Sequence, residues 1–170
     1  MANHRLTGIV LVGGASSRFG SPKALARFEG ETLAERAWRL LGEVSDERIA
    51  VGRAGGLPFS AVVDEGTGPV AAIAAGLRQA AHEVAIVVPV DMPLLTGDAL
   101  QLLAGACRDA AVAQAGPLPC AVARSALPAF ETGERRLRTV LDGLDTARLA
   151  LDERLLANVN TPADLDTLAP

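Results

Sequence analysis

The stretch Thr7-Gly-Ile-Val-Leu-Val-Gly-Gly-Ala-Ser-Ser-Arg-Phe-Gly-Ser-Pro-Lys23 decides the fold. Residues 9–12 form an unbroken β-branched and aliphatic run, the pattern of a strand buried on both faces of a parallel sheet. The run stops at Gly13-Gly14, where the missing side chains let a ligand approach the backbone. Ser16, Ser17, Arg18, Gly20 and Lys23 follow within ten residues. Amide donors, hydroxyls and two cations at the carboxyl end of a buried strand suit a polyphosphate.

Two better-known phosphate loops do not fit. A P-loop needs four residues between its glycines and then Lys-Ser/Thr, whereas Gly14 and Gly20 are separated by five and Ser21 follows. The dinucleotide fingerprint G-x-G-x-x-G fails because the glycines here are adjacent. The plain alternative is a glycine-rich turn followed by a solvated basic residue.

Around this stretch, 170 residues give enough chain for one domain with a sizeable core, read as spanning 1–170. The 49% hydrophobic and 3% aromatic shares make that core aliphatic and alanine-rich. A net charge of -4 with no basic run excludes nucleic acid as a partner, though not single nucleotides. Cys107 and Cys120 lack metal spacing and read as buried thiols. The chain enters its first strand almost at once, with no room for a signal peptide, and its apolar runs are too short to span a membrane. A cytoplasmic enzyme is expected.

Strands are expected at 48–51, 60–63, 83–90, 111–115, 120–123 and 148–151, with 83–90 the most apolar and central. A short extended piece is expected at 24–28. Thr32-Leu-Ala-Glu35 is a capping box opening a helix. Pro69 opens a second helix to about residue 81, and Thr96 caps a third to about 109. Ser125 caps a short helix, 134–144 forms another, and Thr161-Pro-Ala-Asp164 starts the last. Residues 116–119 read as a loop. Alternating strands and helices predict an α/β sandwich with a mainly parallel sheet, whose ligand lies at the carboxyl ends of the strands. The glycine turn, Asp64 and Asp91 all fall at such ends. Asp91 follows the most apolar strand, where a carboxylate suits a magnesium ion held jointly with substrate phosphates.

The chain resembles the molybdopterin guanylyltransferases, MobA-like nucleotidyltransferases that attach a nucleotide to the molybdenum cofactor, in four ordered segments spanning 7–168. The first is Leu11-Val-Gly13-Gly14-Ala-Ser-Ser17-Arg18-Phe-Gly20-Ser-Pro-Lys23, with Val12 in place of the usual alanine and Phe19 in place of methionine; sugar-nucleotide transferases share this opening. The second is Gly68-Pro-Val-Ala-Ala-Ile73 with Gly76-Leu77, where Ala72 replaces a glycine. The third is Pro89-Val-Asp91-Met-Pro93, and the fourth is Asn158-Val-Asn160-Thr-Pro162-Ala-Asp-Leu165.

The resemblance implies a three-layer sandwich with a Rossmann-like, mainly parallel sheet of the nucleotide-diphosphosugar transferase type. It implies a magnesium-dependent transfer of GMP from GTP to molybdopterin or its molybdenum-loaded form, with a cytidylyltransferase or a non-catalytic carrier as the alternatives. Asp91 is then the metal ligand, and Arg18, Lys23 and Asp91 are catalytic. Leu11, Val12, Gly13, Gly14, Ser17, Lys23, Asp64 and Asp91 bind the nucleotide. Asn158 and Asn160, which alternate on an extended strand, face the second substrate, as do Arg135 and Arg136. Transient contact with molybdoenzymes or their chaperones is also implied. In the stretch from Val51 to Leu57, where the family often presents a polar residue to the base, this chain has Gly52-Arg53-Ala-Gly-Gly56, so the resemblance leaves guanine against cytosine open.

Overall fold

Strand β1 (Leu6–Leu11) is buried along its whole length and is hydrogen-bonded on both sides. The computed structural model describes residues 5–13, 22–53, 55–64 and 68–170. Further along lie β2 (Arg27–Phe28), β3 (Glu31–Thr32), α1 (Leu33–Val44), β4 (Glu47–Val51), β5 (Ala61–Val62), α2 (Pro69–Gln79), β6 (Val84–Pro89) and α3 (Gly97–Ala106). The chain closes with β7 (Ala110–Ala113), β8 (Gly116–Ala123), α4 (Leu137–Asp142), β9 (Thr146–Leu149) and α5 (Pro162–Leu168).

Among the described residues the main sheet has seven strands in the order β5-β4-β1-β6-β8-β7-β9. Only β8 runs against the others: it is antiparallel to β6 and to β7, whereas β5, β4, β1 and β6 are parallel neighbours and β7 is parallel to β9. The expected central strand is β6, fourth of the seven. Its neighbour β1 alternates sides by the two-residue strand period. Ile9 and Leu11 point into a layer with α2, α4 and the 3₁₀ turn Arg124–Glu131. Val10 and Val12 point into a layer with α1, α3 and α5. The result is the expected three-layer α/β sandwich. Among the described residues no helix is long and apolar enough to cross a membrane.

The helix starts follow from local chemistry. Thr32 accepts the Glu35 N–H at 3.1 Å while Glu35 accepts the Thr32 N–H at 2.7 Å, the reciprocal box expected of that spacing. Thr96 caps α3, and Thr161 with Asp164 boxes α5. Pro69 is at the first position of α2, entered through Gly68 at φ +104°.

Four expectations are corrected. The 116–119 loop is instead the start of β8; its two prolines sit where the β7–β8 register shifts, so the N–H groups they lack are not demanded by the ladder. The helix expected at 134–144 is only α4: Gly133 is at φ +90°, and the Glu134 carboxylate takes the Arg136 N–H at 2.7 Å, which substitutes for a first helical turn. The extended piece at 24–28 opens as the 3₁₀ turn Lys23–Leu25 before β2. Ser125 caps nothing: the 3₁₀ turn Arg124–Glu131 starts without a side-chain cap.

Candidate active site

The parallel strands β5, β4, β1 and β6 end side by side, and backbone bonds continue past their last residues. Leu11 lies in register between Val51 and Pro89. The Val12 N–H donates to the Val51 carbonyl at 2.9 Å, and the Gly52 N–H donates to the Val62 carbonyl at 2.9 Å. Gly13 and Gly52 therefore meet backbone to backbone. A Cβ on Gly52 would stand 2.3 Å from the Gly13 nitrogen, and Gly52 is at φ +126°, so only glycine fits there. The side chains of Leu11 and Val12 are buried in opposite layers, which leaves only their backbone for a ligand. Gly13 is exposed at the strand end, and Asp64, two residues beyond β5, is half-buried.

Asp91 follows β6, which ends this row and is the middle strand of the whole sheet. Its carboxylate lies 3.5 Å from the Lys23 ammonium, the two side chains being 25% and 19% exposed. Lys23 begins the 3₁₀ turn Lys23–Leu25, anchored by Ala24, which is buried between the sheet and α1. The two residues singled out from separate motifs, 68 positions apart in sequence, thus form one ion pair. Gly14, Ser17 and Arg18 lie outside the described residues.

On the other side of Asp91 the sheet end opens into a cavity of about 530 Å³. Its wall includes Asp91, Gly116, Leu118, Arg138, Glu153 and Asn158. Asn158 enters because the Val159 N–H donates to the Asp91 carbonyl at 2.8 Å. The expected strand at 158–160 is not part of the sheet, yet the alternation holds: Asn158 and Asn160 are exposed and Val159 is buried. The Asn160 and Thr161 N–H groups donate to Asp164 at 2.7 and 2.9 Å. Those two bonds, helped by the Thr161 hydroxyl and by the charge of Lys23, hold the Asp164 carboxyl below the usual carboxylate range.

Arg135 and Arg136 are exposed ahead of α4 and do not line the cavity; Arg138, one turn further on, does. Sequence reasoning misses Arg138 and Glu153. Extending the basic run of 135–136 by one helical turn finds Arg138, whereas nothing in the pattern of 152–157 marks Glu153. Trp38 packs: it stacks on Phe59 with ring centroids 4.2 Å apart, beneath the Arg48 guanidinium at 4.5 Å.

Among the described residues no group of three or more His, Cys, Asp or Glu is placed to cage a metal ion. Asp91 offers one carboxylate at the strand end, a donor that suits a hard ion completed by phosphate oxygens and water. A strand-end glycine, a lysine and a carboxylate beside an open cavity at the carboxyl ends of parallel strands suit a phosphorylated ligand in an α/β fold.

The family model for the MobA-like NTP transferase domain matches residues 8–150. A molybdenum cofactor guanylyltransferase of Xanthomonas euvesicatoria pv. vesicatoria is 33% identical over 172 residues, covering 92% of this chain and 90% of that protein. One of Yersinia pseudotuberculosis is 31% identical over 182 residues, covering 95% and 93%. The crystal structure of molybdopterin-guanine dinucleotide biosynthesis protein A from Archaeoglobus fulgidus superposes with a TM-score of 0.80 at 24% identity, covering 95% of this chain and 96% of that one, and shares its fold. The chain belongs to the MobA-like NTP transferase family.

Proposed function

We propose that this chain is a magnesium-dependent guanylyltransferase that moves GMP from GTP to the terminal phosphate of molybdopterin, or of its molybdenum-loaded form. A phosphate oxygen of the acceptor attacks the α-phosphorus of GTP, the bond from that phosphorus to the bridging oxygen of the β-phosphate breaks, and pyrophosphate leaves. No protein nucleophile is needed, because such transfers are accelerated by positioning and charge stabilisation. The observation that carries this reading is the Lys23–Asp91 pair, 3.5 Å apart at the strand ends beside the large cavity.

In this reading the backbone of Leu11, Val12, Gly13 and Gly14, the Ser17 hydroxyl, Arg18 and Lys23 hold the triphosphate, and Asp64 meets the nucleoside. Arg18 and Lys23 neutralise the charge that grows on pyrophosphate. Asp91 holds the magnesium ion, which when bound supplies Lewis-acid polarisation of the reacting phosphates. Asn158 and Asn160 orient the acceptor, Arg135 and Arg136 attract it, and Arg138 adds a cation to the cavity wall. Residues 1–170 act as one nucleotidyltransferase domain in the cytoplasm, handing product to molybdoenzymes or their chaperones.

The guanine assignment follows the guanylyltransferases that this chain resembles along most of its length. Pyrophosphate release by the purified protein with magnesium and molybdopterin, comparing GTP with CTP, tests it. Release with GTP that depends on the pterin is expected. Release with CTP alone overturns the base, and pterin-independent release overturns the acceptor.

A further inference from the structure

Between β6 and α3 the segment carrying Asp91 is irregular, and its two ends are held by different parts of the molecule. Val159 holds the Asp91 carbonyl from the acceptor side. From the opposite side the Arg36 Nε–H donates to the Pro93 carbonyl at 2.7 Å. The same guanidinium turns its far edge to the β2–β3 hairpin, with one terminal nitrogen 3.0 Å from Glu29 and 3.5 Å from Glu31. Its carbon lies 5.0 Å from the centre of the Phe28 ring. This hairpin follows directly on the turn that carries Lys23.

We propose that Arg36 is a positioning residue that fixes the Asp91 segment relative to the Lys23 turn, and so sets the metal carboxylate against the triphosphate. This rests on the reading of Asp91 as the metal ligand. Arg36 touches none of the reacting groups; it acts through the Pro93 carbonyl, two residues from Asp91. The arrangement needs arginine. A planar fork with separate donor edges reaches the carbonyl and both carboxylates at once, whereas a lysine ammonium is a single point of attachment. Arg39 supplies the comparison. It grips Glu31 at 2.8 and 3.0 Å and pairs with Glu43, but none of its hydrogen bonds or ion pairs reaches the Asp91 segment.

The test is direct Mn²⁺ binding to the protein–GTP complex, read by electron paramagnetic resonance, beside the Mg²⁺ dependence of turnover and thermal denaturation. Arg36→Lys and Arg36→Met weaken Mn²⁺ binding about tenfold and raise the half-saturating Mg²⁺ in parallel, as loss of one charged hydrogen bond requires. Arg36→Lys keeps a cation beside Glu29 and Glu31 and melts near the wild type, so the metal effect separates from stability. Arg39→Met leaves Mn²⁺ binding unchanged. Wild-type Mn²⁺ binding in both Arg36 variants, or an equal loss in Arg39→Met, overturns the proposal. Asp91→Ala in the same assay tests the underlying reading: if it binds Mn²⁺ like the wild type, the metal assignment fails and this inference with it.

Discussion

The Val159 N–H donates to the carbonyl of Asp91 at 2.8 Å, joining the closing segment of the chain to the residue at the end of the central strand. Buried Val159 is the anchor, and Asn158 before it is set on the wall of the large cavity that Asp91 also lines. Whatever fills that cavity is bordered by both Asn158 and Asp91. Asn158→Ala removes one neutral hydrogen-bonding partner, worth about 1 kcal/mol. KM for the pterin therefore rises about five- to tenfold while KM for GTP stays put. Steady-state kinetics with each substrate varied in turn checks this, and an equal rise in both constants refutes the division into two substrate spaces.

Asp91 and Lys23 are partly exposed, so their pairing contributes about 1 kcal/mol or less to folding. In the proposed reaction their value is catalytic. Asp91→Ala keeps its melting temperature and loses turnover by about a thousandfold or more. Lys23→Met also folds, and it loses a smaller factor, about a hundredfold, because one cation among several donors is removed. Pyrophosphate release and a thermal melt on the same preparations decide the matter. Near-normal activity in Asp91→Ala refutes its role.

Much of this arrangement is legible in the amino-acid sequence. The β1 run, its glycine stop and the apolar β6 run each follow from hydrophobic pattern and turn chemistry, and together they place Lys23 and Asp91 at one sheet end. The capping threonines are legible for the same reason: a cap is a local bond between residues three apart. What escapes is non-local or hidden by proline. Pro117 and Pro119 argue for a loop, because a bulge that excuses the missing N–H groups depends on the partner strand. Gly52 looks like a gap in the base-recognition segment; its need for glycine comes from Gly13, a residue on the neighbouring strand. Glu153 is a functional candidate only because β8, α4 and the turn Glu153–Leu156 line the same space, which no single stretch encodes.

Gly52→Ala tests that backbone contact. At φ +126° an alanine is strained, and its Cβ would sit 2.3 Å from the Gly13 nitrogen, so the two strand ends must part. The cost is about 3 kcal/mol from left-handed strain and overpacking. GTP binding weakens with it, since Gly13 leads into the glycine turn. Gly55→Ala, in the same loop with open space around its Cβ, changes stability by less than about 0.5 kcal/mol. Urea unfolding of both variants makes the comparison, and equal stabilities remove the contact from the argument.

Asp164 supplies a pH test of the closing segment. Its carboxylate accepts the N–H groups of Asn160 and Thr161, bonds that the neutral acid makes less well, and its pKa is lowered in consequence. A carboxyl lowered by folding stabilises the protein above its unfolded pKa, near 4, and that contribution disappears as pH falls through the lower folded value. The nearby Lys23 cation also favours the ionised carboxylate, in the same direction as the two backbone bonds. The stability difference between the wild type and Asp164→Asn is therefore constant from about pH 8 to pH 5 and closes below about pH 4. At neutral pH the variant also loosens the Asn160 backbone and raises KM for the pterin more than KM for GTP. Urea titrations across that pH series measure the first effect; a difference that persists undiminished at about pH 3 would mean that the charge of Asp164 contributes nothing to holding the segment.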